Sequence, residues 1–251
     1  MSQVSSSAIL LRAHPFSETS QILRFYSQTM GVVAAVAKGV RRSGGRGIGA
    51  LSTLAEGTLI LYHRPSRELQ TFKDFSLLRD RRGLARDPLR FAGASVLGEL
   101  VLLHAGSEGN STLYSLLTGG LDTLEAIGEE GLLAALLLET WTLIAELGYA
   151  PSLRQCVSCG RELEEEETGR LDFAEGGIRC SRCQAEIRGP RLGPLARKQL
   201  RGLVDRSLEG ELIRPVAHLR LASDFITYHI SGGTPLRSMG VLGRLIPHDD
   251  A

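Results

Sequence analysis

No stretch of this chain is apolar for long enough to cross a bilayer. The richest run, residues 132–138, is followed by Glu139 and Glu146, whereas a spanning helix needs about 20 apolar residues. The short motifs of enzyme chemistry are missing as well. There is no G-x-x-x-x-G-K-[ST], no G-x-S-x-G and no H-E-x-x-H, so nucleotide hydrolysis, esterase chemistry and zinc-protease chemistry have no residues to run on. Gly45-x-Gly47-x-Gly49 has the wrong spacing for a dinucleotide loop, and no βαβ pattern surrounds it. The six histidines stand singly, and no carboxylate pair stands apart from ordinary helix surface charge. Nothing at the N-terminus reads as a secretion signal, so a cytoplasmic protein without disulfides is expected.

Cysteine is scarce too, but its placing is informative. The only four are Cys156 and Cys159, then Cys180 and Cys183, in the pattern C-x2-C-x20-C-x2-C. A thiolate at each end of a C-x-x-C turn supplies two corners of a tetrahedron, and a second pair completes it. Gly160 and Gly176-Gly177 lie where the knuckles need turn freedom. Catalytic zinc keeps one position open and usually includes histidine or carboxylate. Here sulfur fills all four positions, and no histidine falls between Tyr149 and His218. The expectation is one structural Zn2+ per chain, holding a loop-rich insert at 154–190 that is too small to fold unaided. The acidic run 164–167 reads as a solvated loop between the knuckles.

The net charge of +1 conceals an asymmetry: +8 over residues 1–90, −7 over 91–155, −3 over 156–190 and +3 over 191–251. A basic head on an acidic body points to an anionic partner for the head alone. The first eighty residues read as five short strands, at about 6–11, 20–27, 31–37, 57–62 and 68–75, separated by turn signals. That spacing fits a small closed barrel of the OB type over 1–82. The pattern then becomes helical over 83–251. Asp87 is read as an N-cap and Pro88 as the first helical residue. Helices are expected from there to about 101, and over about 111–127 and 130–147. The last of these has a stripe of Leu133, Leu137, Trp141 and Ile144, and Gly148 at its end. Further helices are expected at about 194–205 and 217–231, with a short helix or strap at 234–245. The fold class is thus α+β, an N-terminal five-stranded barrel followed by a helical domain carrying the zinc insert.

Lys38, Arg41, Arg42 and Arg46 cluster after the third strand in a glycine-rich stretch whose backbone can approach phosphates. Arg12, Arg24, Arg64 and Arg67 add charge on the barrel. Phe25, Tyr26, Tyr62 and Phe72 are either stacking platforms for bases or core residues of the barrel. Cations interleaved with aromatics are how OB-folds hold single strands.

At this point the residues resemble a known family. Phe16-Ser17-Glu18-Thr19-Ser20-Gln21-Ile22-Leu23, then residues 31–37, then Ala37-Lys38-Gly39-Val40-Arg41-Arg42 resemble the bacterial DNA repair protein RecO family. The order that follows matches as well: helices, a four-cysteine insert, and a late helix with Tyr228 and then Arg237-Ser238. The resemblance implies a non-enzymatic protein that binds single- and double-stranded DNA and anneals complementary strands. It further implies work with RecR and RecF to load RecA onto DNA coated by single-strand-binding protein, at the bacterial nucleoid and without a nucleotide cofactor. It makes Lys38, Arg41 and Arg42 DNA contacts and the four cysteines zinc ligands. The competing reading is a zinc-stabilised interaction scaffold whose nucleic-acid binding is incidental. A zinc-dependent nuclease or deaminase would need an open metal position, against which the all-sulfur ligand set argues.

Overall fold

The computed structural model describes residues 2–40, 52–185 and 187–246. The chain divides into two compact units, Met1–Ala126 and Ile127–Ala251.

In the first unit, β1 (Ser2–Pro15), β2 (Gln21–Ser27), β3 (Gly31–Ala37), β4 (Glu56–His63) and β5 (Leu69–Arg79) form a closed barrel. The order around it is β1-β2-β3-β5-β4. Neighbours are antiparallel except β3 and β5, which run parallel. The alternation read from the sequence is the barrel's inside and outside. Along β3 every second residue from Gly31 to Ala37 is buried, as a pleated strand with one wet face requires. Leu10, Leu23, Phe25, Val33, Ala35, Leu59, Leu61, Phe72 and Phe75 fill the interior. Register shifts at Leu10/Arg12, at Ile60/Leu61 and at Glu56/Gly57 break the alternation. They let β1 and β5 run longer than their hydrophobic pattern suggests.

After a 3-10 turn at Leu84–Arg86 come α1 (Pro88–His104) and α2 (Ser111–Ala126). The Asp87 side chain accepts the Arg90 backbone N–H at 2.9 Å and Pro88 opens the helix, an N-cap that fixes where helix begins. The compact unit that holds the barrel therefore runs past residue 82 and takes in both helices.

The second unit contains α3 (Leu132–Glu146), α4 (Pro194–Val204), α5 (Pro215–His229) and α6 (Arg237–Leu245). Trp141 is fully buried, its ring 5.2 Å from that of Phe225 on α5. Leu136, Leu137 and Ile144 are buried beside it in the helix, while Leu133 is only half-buried. Gly148, at φ +89°, follows the end of α3, in the left-handed conformation that terminates helices. Between α3 and α4 lies a small antiparallel sheet of β6 (Gly169–Asp172), β7 (Gly177–Arg179) and β8 (Arg191–Leu192), in the order β7-β6-β8. The loop-rich insert thus has a strand framework whose last strand lies just past residue 190. Among the described residues no helix is long and apolar enough to cross a membrane.

Candidate nucleic-acid interface and metal centre

The β1–β2 hairpin places Arg12 directly opposite Arg24. Arg24 is also opposite Ala34 on β3, and Lys38 follows Ala37, the residue that pairs with the first rung of β2. Three cations are therefore brought to one end of a continuous β1–β2–β3 surface. Arg12 and Lys38 are exposed and Arg24 is half-buried. Arg64 and Arg67 are exposed on the β4–β5 turn. The side chain of Gln70 shapes that turn, accepting the Arg64 N–H and donating to the Arg64 and Arg67 carbonyls. The β4–β5 turn precedes the stretch of β5 that lies parallel to β3 from Ala34 onward. It therefore flanks the β2–β3 face from the end opposite Lys38. Arg41, Arg42 and Arg46 lie outside the described residues.

Pairing separates these cations from Arg79, Arg81 and Arg82 of the same unit; Lys73, exposed on β5, also lacks a carboxylate partner and donates to Gln3 Oε1. Among the described residues Arg12, Arg24, Lys38, Arg64 and Arg67 have no carboxylate partner. Arg79 pairs with Asp122, Arg82 with Asp80 at 2.6 Å, and Arg81 with Glu56 and Asp122 at 2.6 and 3.0 Å. An unpaired surface cation is available to a phosphate at no cost in broken ion pairs.

The aromatic residues fall on the other side of the alternatives left open by the sequence. Phe25, Tyr26 and Phe72 are buried, and only Tyr62 is partly exposed, with the Lys73 ammonium 5.6 Å from its ring centre. Phe25 stacks on Phe72 and Phe75 inside the barrel, while Tyr26 stacks on Tyr114 of α2. As stacking platforms for bases, those three are ruled out by burial.

In the second unit, Cys156 and Cys159 lie on a turn closed by the Gly160 N–H donating to the Cys156 carbonyl at 2.8 Å, with Gly160 at φ +73°. Cys180 and Cys183 follow β7 directly. All four sulfurs lie within 4.8 Å of one another, and Cys159 Sγ is 3.9 Å from Cys180 Sγ. A tetrahedral ion with metal–sulfur bonds of about 2.3 Å requires sulfur–sulfur edges of roughly 3.8 Å, so the donor set fits a metal ion. Among the described residues no histidine or carboxylate joins the cluster, leaving no provision for an open position.

The surroundings favour thiolate at Cys156 and Cys180, whereas hydrogen bonds with Cys180 and Cys159 push the Cys183 thiol up to about 12. Burial works against charge at Cys156, yet the backbone N–H groups of Cys180, Cys159 and Ser158 outweigh it and bring the thiol down to about 6. Cys180 is likewise lowered in spite of burial, chiefly by the Arg161 side chain. Arg161 is itself held by Glu167 at 2.6 Å, and Glu167 accepts both the N–H and the hydroxyl of Ser181 at 2.9 and 2.7 Å. Arg161 and Ser181 hold the Glu167 carboxyl at about 2, well below the usual carboxylate range. The acidic run therefore divides: Glu164, Glu165 and Glu166 are exposed, whereas Glu167 braces the two knuckles against each other.

A groove of about 450 Å³ also opens in this unit. Leu192, Leu195, Ala196, Ile213, Ala217 and Leu221 supply its apolar lining. Arg191 and Arg214 are its only charged lining residues among those described, and His218, 4% exposed, turns a buried Nδ1 without a partner.

Two family models match the chain: "Recombination protein O N terminal" over residues 1–81 and "Recombination protein O C terminal" over residues 85–230. The chain belongs to the RecO family of DNA repair proteins. It is 31% identical over 207 residues to the DNA repair protein RecO of Desulfatibacillum aliphaticivorans, covering 80% of this chain and 79% of that one. It is 33% identical to that of Rubrobacter xylanophilus, covering 72% and 71%. With the RecO protein of Desulfitobacterium hafniense it shares 30% identity, covering 82% and 73%.

In this RecO-family chain three of the described arginines are buried, Arg81, Arg90 and Arg197, and the sequence reading passed over them; Arg81 is the one held by carboxylates. Arg81 is 4% exposed and sits at φ +45°. It donates to Asp122, Glu56 and the Leu54 carbonyl at 2.6–3.2 Å. It ties the start of β4 to α2, so it counts toward the basic head in the sequence but adds nothing to its outward field. No local signal marks it, because its partners lie 25 and 41 residues away.

Proposed function

We propose that this chain is a non-enzymatic recombination mediator. It binds single- and double-stranded DNA on the barrel, anneals complementary strands, and acts with RecR and RecF to load RecA onto DNA coated by single-strand-binding protein. The observation that carries the reading is the pairing pattern: of the barrel's described cations without a carboxylate partner, all but Lys73, which donates to Gln3 Oε1, lie on the β1–β2–β3 surface and the β4–β5 turn that flanks it. Strands 2–3 and the loops on either side are where OB-folds take oligonucleotides. Lys38, Arg12, Arg24, Arg64 and Arg67 are assigned to phosphate contacts, together with Arg41, Arg42 and Arg46. Neutralising the phosphates of two strands on one surface lowers the electrostatic cost of bringing them together. Acting on the nucleoid in the cytoplasm, it uses no nucleotide.

The four cysteines are assigned one Zn2+, since an all-thiolate tetrahedral set suits zinc. The ion supplies cross-linking and no chemistry on DNA. Arg161, Glu167 and Ser181 hold the two knuckles in place for it.

The apolar groove with Arg191 and Arg214 is assigned to the acidic tail of single-strand-binding protein. Two arginines and no carboxylate around an apolar floor match a peptide that is both acidic and apolar. Arg214→Glu would then lose capture of a tail peptide while DNA binding is retained.

Photocrosslinking of the full chain to a single-stranded oligonucleotide tests the DNA assignment. Crosslinked peptides should come from residues 1–90. Crosslinks concentrated in 91–155, whose charge balance is −7, would show that the unpaired cations do not mark the DNA path.

A further inference from the structure

An exposed aromatic ring stands at the tip of the hairpin that carries two of the unpaired cations, and neither the barrel's packing nor the charge assignment uses it. Of the barrel's six Phe and Tyr residues, Phe25, Tyr26, Phe72 and Phe75 are buried and Tyr62 is partly so; Phe16 alone is exposed, at 58%. It sits at the tip of the β1–β2 hairpin, which is zipped to Pro15 opposite Gln21 and closed by the Phe16 N–H donating to the Ser20 carbonyl at 3.0 Å. Pro15 restricts the backbone on one side and this hydrogen bond fixes the other, so the ring is carried on an ordered turn. Four residues earlier is Arg12, opposite Arg24. Across the hairpin's first β2 rung is Ala37, next to Lys38. A single exposed phenylalanine is unremarkable in itself. One fixed at the end of a track of three cations without carboxylate partners has a specific use.

We infer that Phe16 is a base-stacking residue, the point at which the barrel distinguishes an unpaired strand from a duplex. This rests on the assignment of the β1–β2–β3 surface to DNA. Phosphates on Arg12, Arg24 and Lys38 bring the backbone along the hairpin. The exposed face of Phe16 then takes a nucleobase, which only a strand with unstacked bases can offer. Stacking tolerates any sequence because every base has a π-face. In annealing, a base held on the ring is kept apart from its neighbours in its own strand while its pairing edge remains free.

The test uses the full chain with Phe16→Ala, Phe16→Trp and an Arg12→Ala/Arg24→Ala/Lys38→Ala variant. Each is titrated with a dT oligonucleotide, an abasic oligonucleotide of equal length and a blunt duplex across a salt series. Phe16→Ala should bind dT about five- to tenfold more weakly, at the lower end of the range for loss of one stacked base. Its salt slope should be unchanged, since no phosphate contact is lost, and its affinity for abasic strand and duplex should equal wild type. Phe16→Trp should restore dT binding and show indole quenching with dT but not with the abasic strand. Equal dT affinity for wild type and Phe16→Ala, while the triple variant still loses salt slope, would overturn the stacking role and leave the DNA surface standing. A Phe16→Ala loss shared by dT, abasic strand and duplex would also overturn it, since the ring would then only shape the hairpin. An unchanged slope in the triple variant would overturn the surface beneath it.

Discussion

Replacing Arg12, Arg24 and Lys38 by alanine together should flatten the salt dependence of single-strand binding in a calculable way. None of the three has a carboxylate partner among the described residues, whereas Arg79 and Arg82 are paired with Asp122 and Asp80. Each phosphate contact on a single strand contributes about 0.7 to the slope of log K against log salt. Losing three therefore lowers its magnitude by about 2. At 0.1 M monovalent salt one such contact is worth about fivefold, so the triple variant should bind roughly a hundredfold more weakly, or about 3 kcal/mol. The control is Arg79→Ala/Arg82→Ala, which removes two formal charges from the same unit but only cations already engaged. Its slope should stay within a few tenths of wild type, since cations already held by carboxylates neutralise no phosphate and so release no counterions from the strand. Fluorescence anisotropy with a labelled oligonucleotide at several salt concentrations measures both. A triple variant with the wild-type slope would refute the contact assignment. A control pair that flattened the slope in proportion to its charge would refute the reasoning, because net charge rather than placement would then set affinity.

The basic segment 38–46 gives a second expectation: alanine at Lys38, Arg41, Arg42 and Arg46 should weaken binding alike for all DNA sequences and abolish annealing without unfolding the protein. A folded variant that still anneals with wild-type salt dependence would remove that segment from the interface. For the metal centre, protein purified without chelator should contain one zinc per chain, and Cys156→Ser should lose the ion and melt earlier while DNA binding persists. Structural zinc contributes on the order of 10 kcal/mol in peptide-sized modules, and less in a larger host; zinc-free wild-type protein with the wild-type fold would contradict the assignment. His218 should make stability fall in mild acid. Burial lowers its folded-state pKa, so the unfolded chain, titrating near 6.5, takes up the proton first. Stability is then complete above about pH 6.5 and declines below it. Thermal melts of His218→Gln should show a shallower decline than wild type, and identical declines would exclude His218 as a source.

Much of this architecture was legible because burial imposes short periods on the sequence. β3 was read at its observed limits, since its alternation is the barrel's inside and outside, and Asp87-Pro88 marked the start of α1 by cap chemistry alone. β5 was read short. The register shift at Glu56/Gly57 changes the pairing beyond Leu77, and residues 76–79 are all exposed, so they do not alternate as a half-buried strand should. The aromatic residues mark the limit of composition. Phe25 has the same parity as Leu23 and so points inward, a signal that was available, whereas Phe16 lies between a proline and a serine and reads only as turn. The four cysteines announced themselves by spacing, but the brace around them did not. Glu167 sits in an acidic run whose other members are solvated, and only the fold brings it to Arg161 and Ser181. Arg81 was hidden for the same reason, as a charge whose role depends on partners far along the chain.

The central claim is that a basic barrel brings two DNA strands together without bond chemistry. Its most direct test is annealing of two complementary oligonucleotides by the purified full chain, followed by strand fluorescence with no nucleotide and no added metal. The account predicts faster annealing than the spontaneous reaction, intact strands afterwards, and suppression as salt rises. Annealing no faster than spontaneous, dependence on a nucleotide, or cleavage of either strand would contradict it.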